Sequence, residues 1–222
     1  MYKIGLDEVA RGPLFGPIFA GAVVLNDDTP NHKWLKDSKK TTKKRRAVVR
    51  EWIENEALYW SVAQVNTKTI DIINIRNANK LVMELAIRKL INEMSHDEID
   101  LQKIKLLVDG IDFNGTTHFG QYDDSEFMKD VDVYIPPMLA CDIEHQNVIK
   151  GDQLFPCISA ASVLAKEHHD DYIKDLIARD PTLDSKYGLS TNMGYGTKRH
   201  IDGLKEFGVT SNHRMSFLKC LK

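Results

Sequence analysis

The chain has 222 residues, 42% of them hydrophobic and 28% charged, with a formal net charge of −2. That length can bury the core of one domain, and no run of eighteen apolar residues offers a membrane span. Three widely spaced cysteines, Cys141, Cys157 and Cys220, suggest neither a disulfide framework nor a zinc knuckle. The chain enters a strand within a few residues, which leaves no room for a signal peptide, so a cytoplasmic protein is expected.

Ile4 to Pro17 opens the fold. It starts as an apolar strand, delivers the adjacent carboxylates Asp7 and Glu8, then breaks into a turn holding Arg11, Gly12-Pro13 and Gly16-Pro17. Proline has no amide hydrogen for a central ladder, so these pairs mark a turn. Two acids at the end of a buried strand either face water or share a divalent cation. Ile18 to Leu25 reads as a second buried strand. The stretch from Lys36 to Arg50 carries eight Lys or Arg and one acid, which is a phosphate-attracting strip or a solvated helix face. A helix is predicted from Lys43 to Glu54, capped by Thr41 or Thr42. A strand from Leu58 to Val65 follows. The next helix starts at Asn66 or Thr67, with Ala78, Val82, Ala86 and Leu90 forming its apolar stripe.

Lys105 to Asp109 is an apolar strand ending on an acid. Residues 111–143 form a long polar excursion containing one short strand near Val131 to Ile135. Asp152 follows Lys150-Gly151 just ahead of a helix from Pro156 to Ala178, where it either caps that helix or binds metal. Lys186 to Thr197 reads as a loop, and Lys198 to Phe207 as a short helix. His168-His169 is a poor metal pair expected at the surface, and Lys43 to Arg46 are expected on a solvated face. The order predicts an α/β fold: a mixed five-stranded sheet flanked by helices, with sites at the carboxyl ends of strands. One domain spans 1–222, with the core at about 1–180 and a C-terminal helical, substrate-contacting part at about 181–222.

Asp7, Glu8, Asp109 and Asp152 offer oxygen ligands only, a set suited to Mg2+ or Mn2+. Two such ions form the usual apparatus for attack of water on a phosphodiester. Adjacent strand residues face opposite ways, so Asp7 and Glu8 serve one site only if the strand breaks at Glu8, or else Glu8 reaches its ion through water. Here the residues carry a resemblance. Asp7-Glu-Val-Ala-Arg-Gly-Pro13, Asp37-Ser-Lys-Lys40, Ile73-Asn-Ile75, Val108-Asp-Gly110, Lys150-Gly-Asp152, Ile158 to Lys166, Gly194-Tyr-Gly-Thr197 and His213-Arg-Met-Ser-Phe217 resemble, in order, the blocks of ribonuclease HII.

The resemblance implies the ribonuclease H-like fold with a C-terminal helical extension. It implies a metal-dependent endoribonuclease, using Mg2+ or Mn2+ at a two-metal site. Such an enzyme hydrolyses the RNA strand of RNA–DNA hybrids and cuts 5′ of ribonucleotides embedded in duplex DNA, leaving 3′-hydroxyl and 5′-phosphate ends. Roles in ribonucleotide removal from DNA and in RNA primer removal follow, for a monomer without membrane contact. Carried over by position, Asp7, Glu8, Asp109 and Asp152 are the catalytic metal ligands, and Asp170 matches a further acid. Ala10, Arg11 and Gly12 match the turn that senses the ribose 2′-hydroxyl, Ser38, Lys39 and Lys40 contact substrate, and Tyr195 packs against the junction sugar. Ala10 stands where the family has glycine, and it is strained if its φ is positive. The Asp109–Asp152 spacing is longer than usual, and Asn192-Met193 replaces a common His-Lys. The alternative is a hybrid-binding module with impaired cleavage.

Overall fold

The computed structural model describes residues 1–26, 35, 43–94, 100–111, 113–115 and 143–221. Five strands form one sheet in the order β3-β2-β1-β4-β5: β1 Tyr2–Val9, β2 Ile18–Val24, β3 Tyr59–Val65, β4 Ile104–Asp109 and β5 His145–Val148. β2 lies antiparallel to β1 and β3, while β4 runs parallel to β1 and β5 to β4. The mixed five-stranded sheet is the expected one, but its fifth strand is the polar β5. The strand expected near Val131 to Ile135 lies outside the described residues, as do the loop around Pro30 and the Thr41 and Thr42 caps.

Seven helices accompany the sheet among the described residues: α1 Lys43–Glu56, α2 Thr67–Met94, α3 Gly151–Leu154, α4 Pro156–Arg179, α5 Thr182–Tyr187, α6 Leu189–Asn192 and α7 Lys198–Phe207. Every residue of β2 is buried, because helices cover both faces. Ile4, Leu6, Ala20 and Ala22 pack against Val82, Leu85 and Ala86 of α2. On the other face, Val23 packs with Ala160 and Leu164 of α4 and with Val49 and Ile53 of α1. The strand period of two therefore turns Ile4 and Leu6 to α2, and Gly5 and Asp7 to α4.

Two glycines let α4 lie directly on the strands. A β-carbon at Gly5 would stand 2.2 Å from the Cys157 carbonyl carbon, and one at Gly21 would stand 2.4 Å from the Ala161 oxygen. Each alkyl side chain sealed between the layers contributes roughly 1.5–3 kcal/mol.

Helix α2 starts at Thr67, one of the two expected positions, and Asn66 caps it, its Oδ1 accepting the Thr69 N–H at 2.8 Å. The single helix expected from there is broken, however. Asn74 adopts φ 67° and ψ 163°, and its Oδ1 accepts the N–H groups of Arg76 and Asn77. The asparagine side chain thus ends one helical piece and caps the next. The loop expected from Lys186 to Thr197 is also corrected, since it holds the end of α5 and all of α6, divided by Gly188 in the left-handed region. No described helix is long and apolar enough to cross a membrane.

Candidate active site

The carboxyl ends of β1 and β4 lie side by side. Their register pairs Leu6 with Val108, so Asp7 and Asp109 arrive on neighbouring strands, whose spacing is ~4.8 Å. Asp109 pairs in turn with Val148 of β5. Two residues later Lys150 takes a left-handed conformation with φ 58° and turns the chain back. The Gly151 N–H then donates to Asp109 Oδ1 at 2.6 Å, and Asp152 follows. Asp152 is the second residue of α3, past the N-cap Lys150, and is buried.

Asp7 is 5% exposed. Its Oδ1 accepts the Glu8 N–H at 2.8 Å, and Ser162 of α4 hydrogen-bonds its carboxylate. Burial pushes the Asp7 carboxyl well above the ordinary carboxylate range. The Ser162 bond opposes that shift, and the negative charges of Glu8, Asp109 and Asp152 push the same way as burial. Asp7 therefore lies within electrostatic reach of the other three acids at one end of the sheet.

The strand does not break at Glu8. β1 stays paired through Glu8–Ala20 and Val9–Phe19, so Asp7 and Glu8 look to opposite faces. Asp7 turns to α4. Glu8 lines a small cleft with Arg11, Asn79, Met83, Asp109, Gly110 and Phe113. Asp109 joins the two sides, since it borders that cleft and is also held by Gly151. The pleat thus splits the acid pair around the strand end rather than merging it on one face.

The donor set fits a hard divalent cation. It consists of carboxylate oxygens, and the described lining of the cleft holds neither Cys nor His. Three like charges around a buried carboxylate are costly unless a cation balances them. Among the described residues, no three acidic, thiol or imidazole groups already converge closely enough to enclose an ion.

The turn beyond β1 contributes Arg11 to the cleft. Ala10 is buried with φ 63°, the left-handed backbone that alanine adopts at a cost of roughly 1–2 kcal/mol. Arg11 is exposed and reaches Glu8 Oε1 at 3.7 Å. Gly12 lies against Tyr195, to whose Cε1 a β-carbon would approach within 3.7 Å. The partly exposed Tyr195 ring therefore shares one surface with a turn more than 180 residues away. The Leu14 N–H donates to the Gly194 carbonyl at 2.8 Å and fixes that pairing. Ser38, Lys39 and Lys40 lie outside the described residues.

Two expectations are corrected nearby. Arg46 is not solvated: its Nε donates to Glu167 Oε1 at 2.7 Å and its Nη2 to Asp170 Oδ2 at 3.3 Å. His169 is buried, with Nδ1 at 3.2 Å from Asp170 Oδ1 and its ring edge-on to Phe19. Asp170 is thus held among Arg46, Lys166 and His169. Sequence reasoning missed Ser162 and Gly151, which orient Asp7 and Asp109. A serine on a helix and a glycine before an acid carry no signal of their own. It also assigned no role to Arg214, whose burial a charged residue in a polar tail does not announce.

Comparison with known proteins bears on this geometry. The family model described as Ribonuclease HII matches residues 4–220. A Ribonuclease HII of Pelagibacter ubique is 38% identical over 213 residues, covering 96% of this chain and 94% of the relative. Among solved structures, ribonuclease H2 from Pyrococcus horikoshii superposes with a TM-score of 0.69 at 22% identity, over 97% of this chain and 93% of that one. The structure described as Bst-RNase HIII in complex with Mn2+ superposes with a TM-score of 0.62 at 16% identity, over 97% of this chain and 67% of that one. These two likenesses bear on the fold.

Proposed function

The chain belongs to the ribonuclease HII family, and from that premise we propose that it cuts RNA in RNA–DNA hybrids and cuts 5′ of single ribonucleotides in duplex DNA. The family makes it a type 2 ribonuclease H endonuclease. One observation carries the finer reading: buried Asp7 stands under the charges of Glu8, Asp109 and Asp152 at the end of β1.

In this reading the four acids hold Mg2+ or Mn2+, and the fold neighbour described with Mn2+ supports that choice. When bound, the ions supply an activated water and neutralise charge on the phosphate. The protein's own part is orientation. Ser162 and the Glu8 N–H fix Asp7, and the Gly151 N–H fixes Asp109. The Ala10–Gly12 backbone and Arg11 meet the ribose 2′-hydroxyl, the group that separates RNA from DNA. Tyr195 packs its ring against the sugar at the junction, Ser38 contacts substrate, and Lys39 and Lys40 contact backbone phosphate, an attraction that weakens with salt. The products carry 3′-hydroxyl and 5′-phosphate ends. The setting we assign is a cytoplasmic monomer acting in ribonucleotide and RNA primer removal.

A labelled duplex with one ribonucleotide, incubated with Mg2+, Mn2+ or EDTA, tests the proposal. A cut immediately 5′ of the ribonucleotide with either metal, lost in EDTA, is expected. Tight binding of hybrid with every substrate left intact would replace the enzyme by the binding-module alternative.

A further inference from the structure

We propose that Arg214 is a positioning residue for substrate binding, a buried guanidinium that holds the Ala10–Gly12 turn in its ribose-contacting shape. This deepens the function proposed above and rests on its assignment of that turn.

Arg214 is among the largest fully buried side chains of the protein, at 0% exposure. Its three hydrogen-bond acceptors are main-chain carbonyls of the turn region. Nη2 donates to the Ala10 oxygen at 2.8 Å, Nη1 to the Arg11 oxygen at 3.1 Å and Nε to the Gly16 oxygen at 2.8 Å. A planar fork satisfies carbonyls in three directions at once, which the single point of a lysine ammonium does not. The Phe217 ring covers the guanidinium, with 5.2 Å from Cζ to the ring centroid. The charge persists despite burial, which lowers its pKa only to about 10.

The segment carrying Arg214 is itself anchored from both sides. Its N–H donates to the Leu14 oxygen, the Gly16 N–H donates to the Asn212 oxygen, and Phe15 bridges to His213. On the far side, the N–H groups of Met215 and Ser216 donate to the Asp71 carboxylate at 2.8 and 2.9 Å. A rigid rail thus presents one cation to a turn that needs holding. Ala10 sits at φ 63°, a conformation that an L-residue leaves readily when nothing retains it. The Arg214 bond to the Ala10 carbonyl is the retaining contact. Its charge also lies directly beneath backbone assigned to a polyanionic substrate, where a positive potential favours binding.

The test is a four-protein cycle: wild type, Arg214→Lys, Ala10→Gly and the double variant. KM and kcat are measured on the one-ribonucleotide duplex with Mn2+, and thermal midpoints without nucleic acid. Arg214→Lys should raise KM about tenfold, the equivalent of one charge-assisted hydrogen bond, with kcat at saturation near wild type. Adding Ala10→Gly should recover much of that loss, because glycine takes the left-handed backbone without a clamp. A purely structural arginine would give a fall in kcat and midpoint that glycine at position 10 leaves untouched, and that result overturns the proposal. So does an unchanged KM in Arg214→Lys. Should wild type cut nothing, the function proposed above fails, and the midpoints still decide the clamp. Non-additive midpoints for positions 10 and 214 support it, and additive ones overturn it.

Discussion

Asp7 concentrates the tension between function and stability in one side chain. Burial and three neighbouring acids raise its carboxyl pKa in the folded protein, so the fold prefers the protonated form. The stability this gives is complete below the ordinary carboxylate value of about 3.9 and is lost as pH rises through the raised value. Measured against Asp7→Asn, metal-free wild type should therefore lose thermal stability as pH rises from about 5 to about 7, and Mg2+ should restore the difference, as read by thermal unfolding with and without EDTA. Asp7→Asn should flatten this dependence and raise the metal-free stability at neutral pH by roughly 1–3 kcal/mol, while abolishing cleavage. Ala10 carries a second local cost, and Ala10→Gly should stabilise the protein by about 1 kcal/mol in chemical denaturation. The acids were legible in the sequence because strands that end on carboxylates stand out against apolar runs. Ser162, Gly151 and Arg214 were not, since their roles come from contacts made only after folding.

At the level of elements, the apolar strands and the α2 stripe could be read directly from period. The Asn74 break could not, because an asparagine inside a helical pattern gives no sign of whether it will cap. Nor could β5, a four-residue edge strand with the polar sequence His145-Gln-Asn-Val148. Helix α1 shows how a basic run can mislead. Arg46 ties α1 to α4 through Glu167 and Asp170, both nearly fully buried. Arg46→Ala would leave two buried carboxylates short of their cation and should cost about 3–5 kcal/mol in urea unfolding. The α7 region depends on a histidine pair. Thr210 N–H donates to His213 Nδ1, which leaves His213 Nε2–H to donate to His200 Nε2 at 3.1 Å, while His200 Nδ1–H donates to the Tyr195 carbonyl. Protonating either ring sets N–H against N–H. Burial lowers both pKa values, that of His213 to about 4. Stability from this pair is present above the unfolded value of about 6.5 and is lost as pH falls toward 4. As pH falls across that window, the thermal midpoint of wild type should drop relative to that of His213→Gln.

Across the whole molecule, the sheet brings together residues that the sequence scatters. Asp7 and Asp109 meet because β1 and β4 are parallel neighbours, and Asp152 joins them through the reversal at Lys150. The C-terminal segment returns to the first turn, so that Gly12 and Tyr195 share a face. The close seat of α4 on Gly5 and Gly21 holds Ser162 to Asp7, so that core packing and site geometry depend on one another. Motif order made this architecture readable, whereas the division of Asp7 and Glu8 between two faces required the register. The most direct test of the central claim, that these acids act together on one phosphodiester, is single-turnover cleavage of the one-ribonucleotide duplex by Asp109→Asn beside wild type. Both proteins would be compared in Mg2+ and in Mn2+. The rate should fall by at least about a hundredfold, more than the loss of a supporting group around a metal, with the far-ultraviolet spectrum unchanged. A variant that cuts at the wild-type rate would contradict the account.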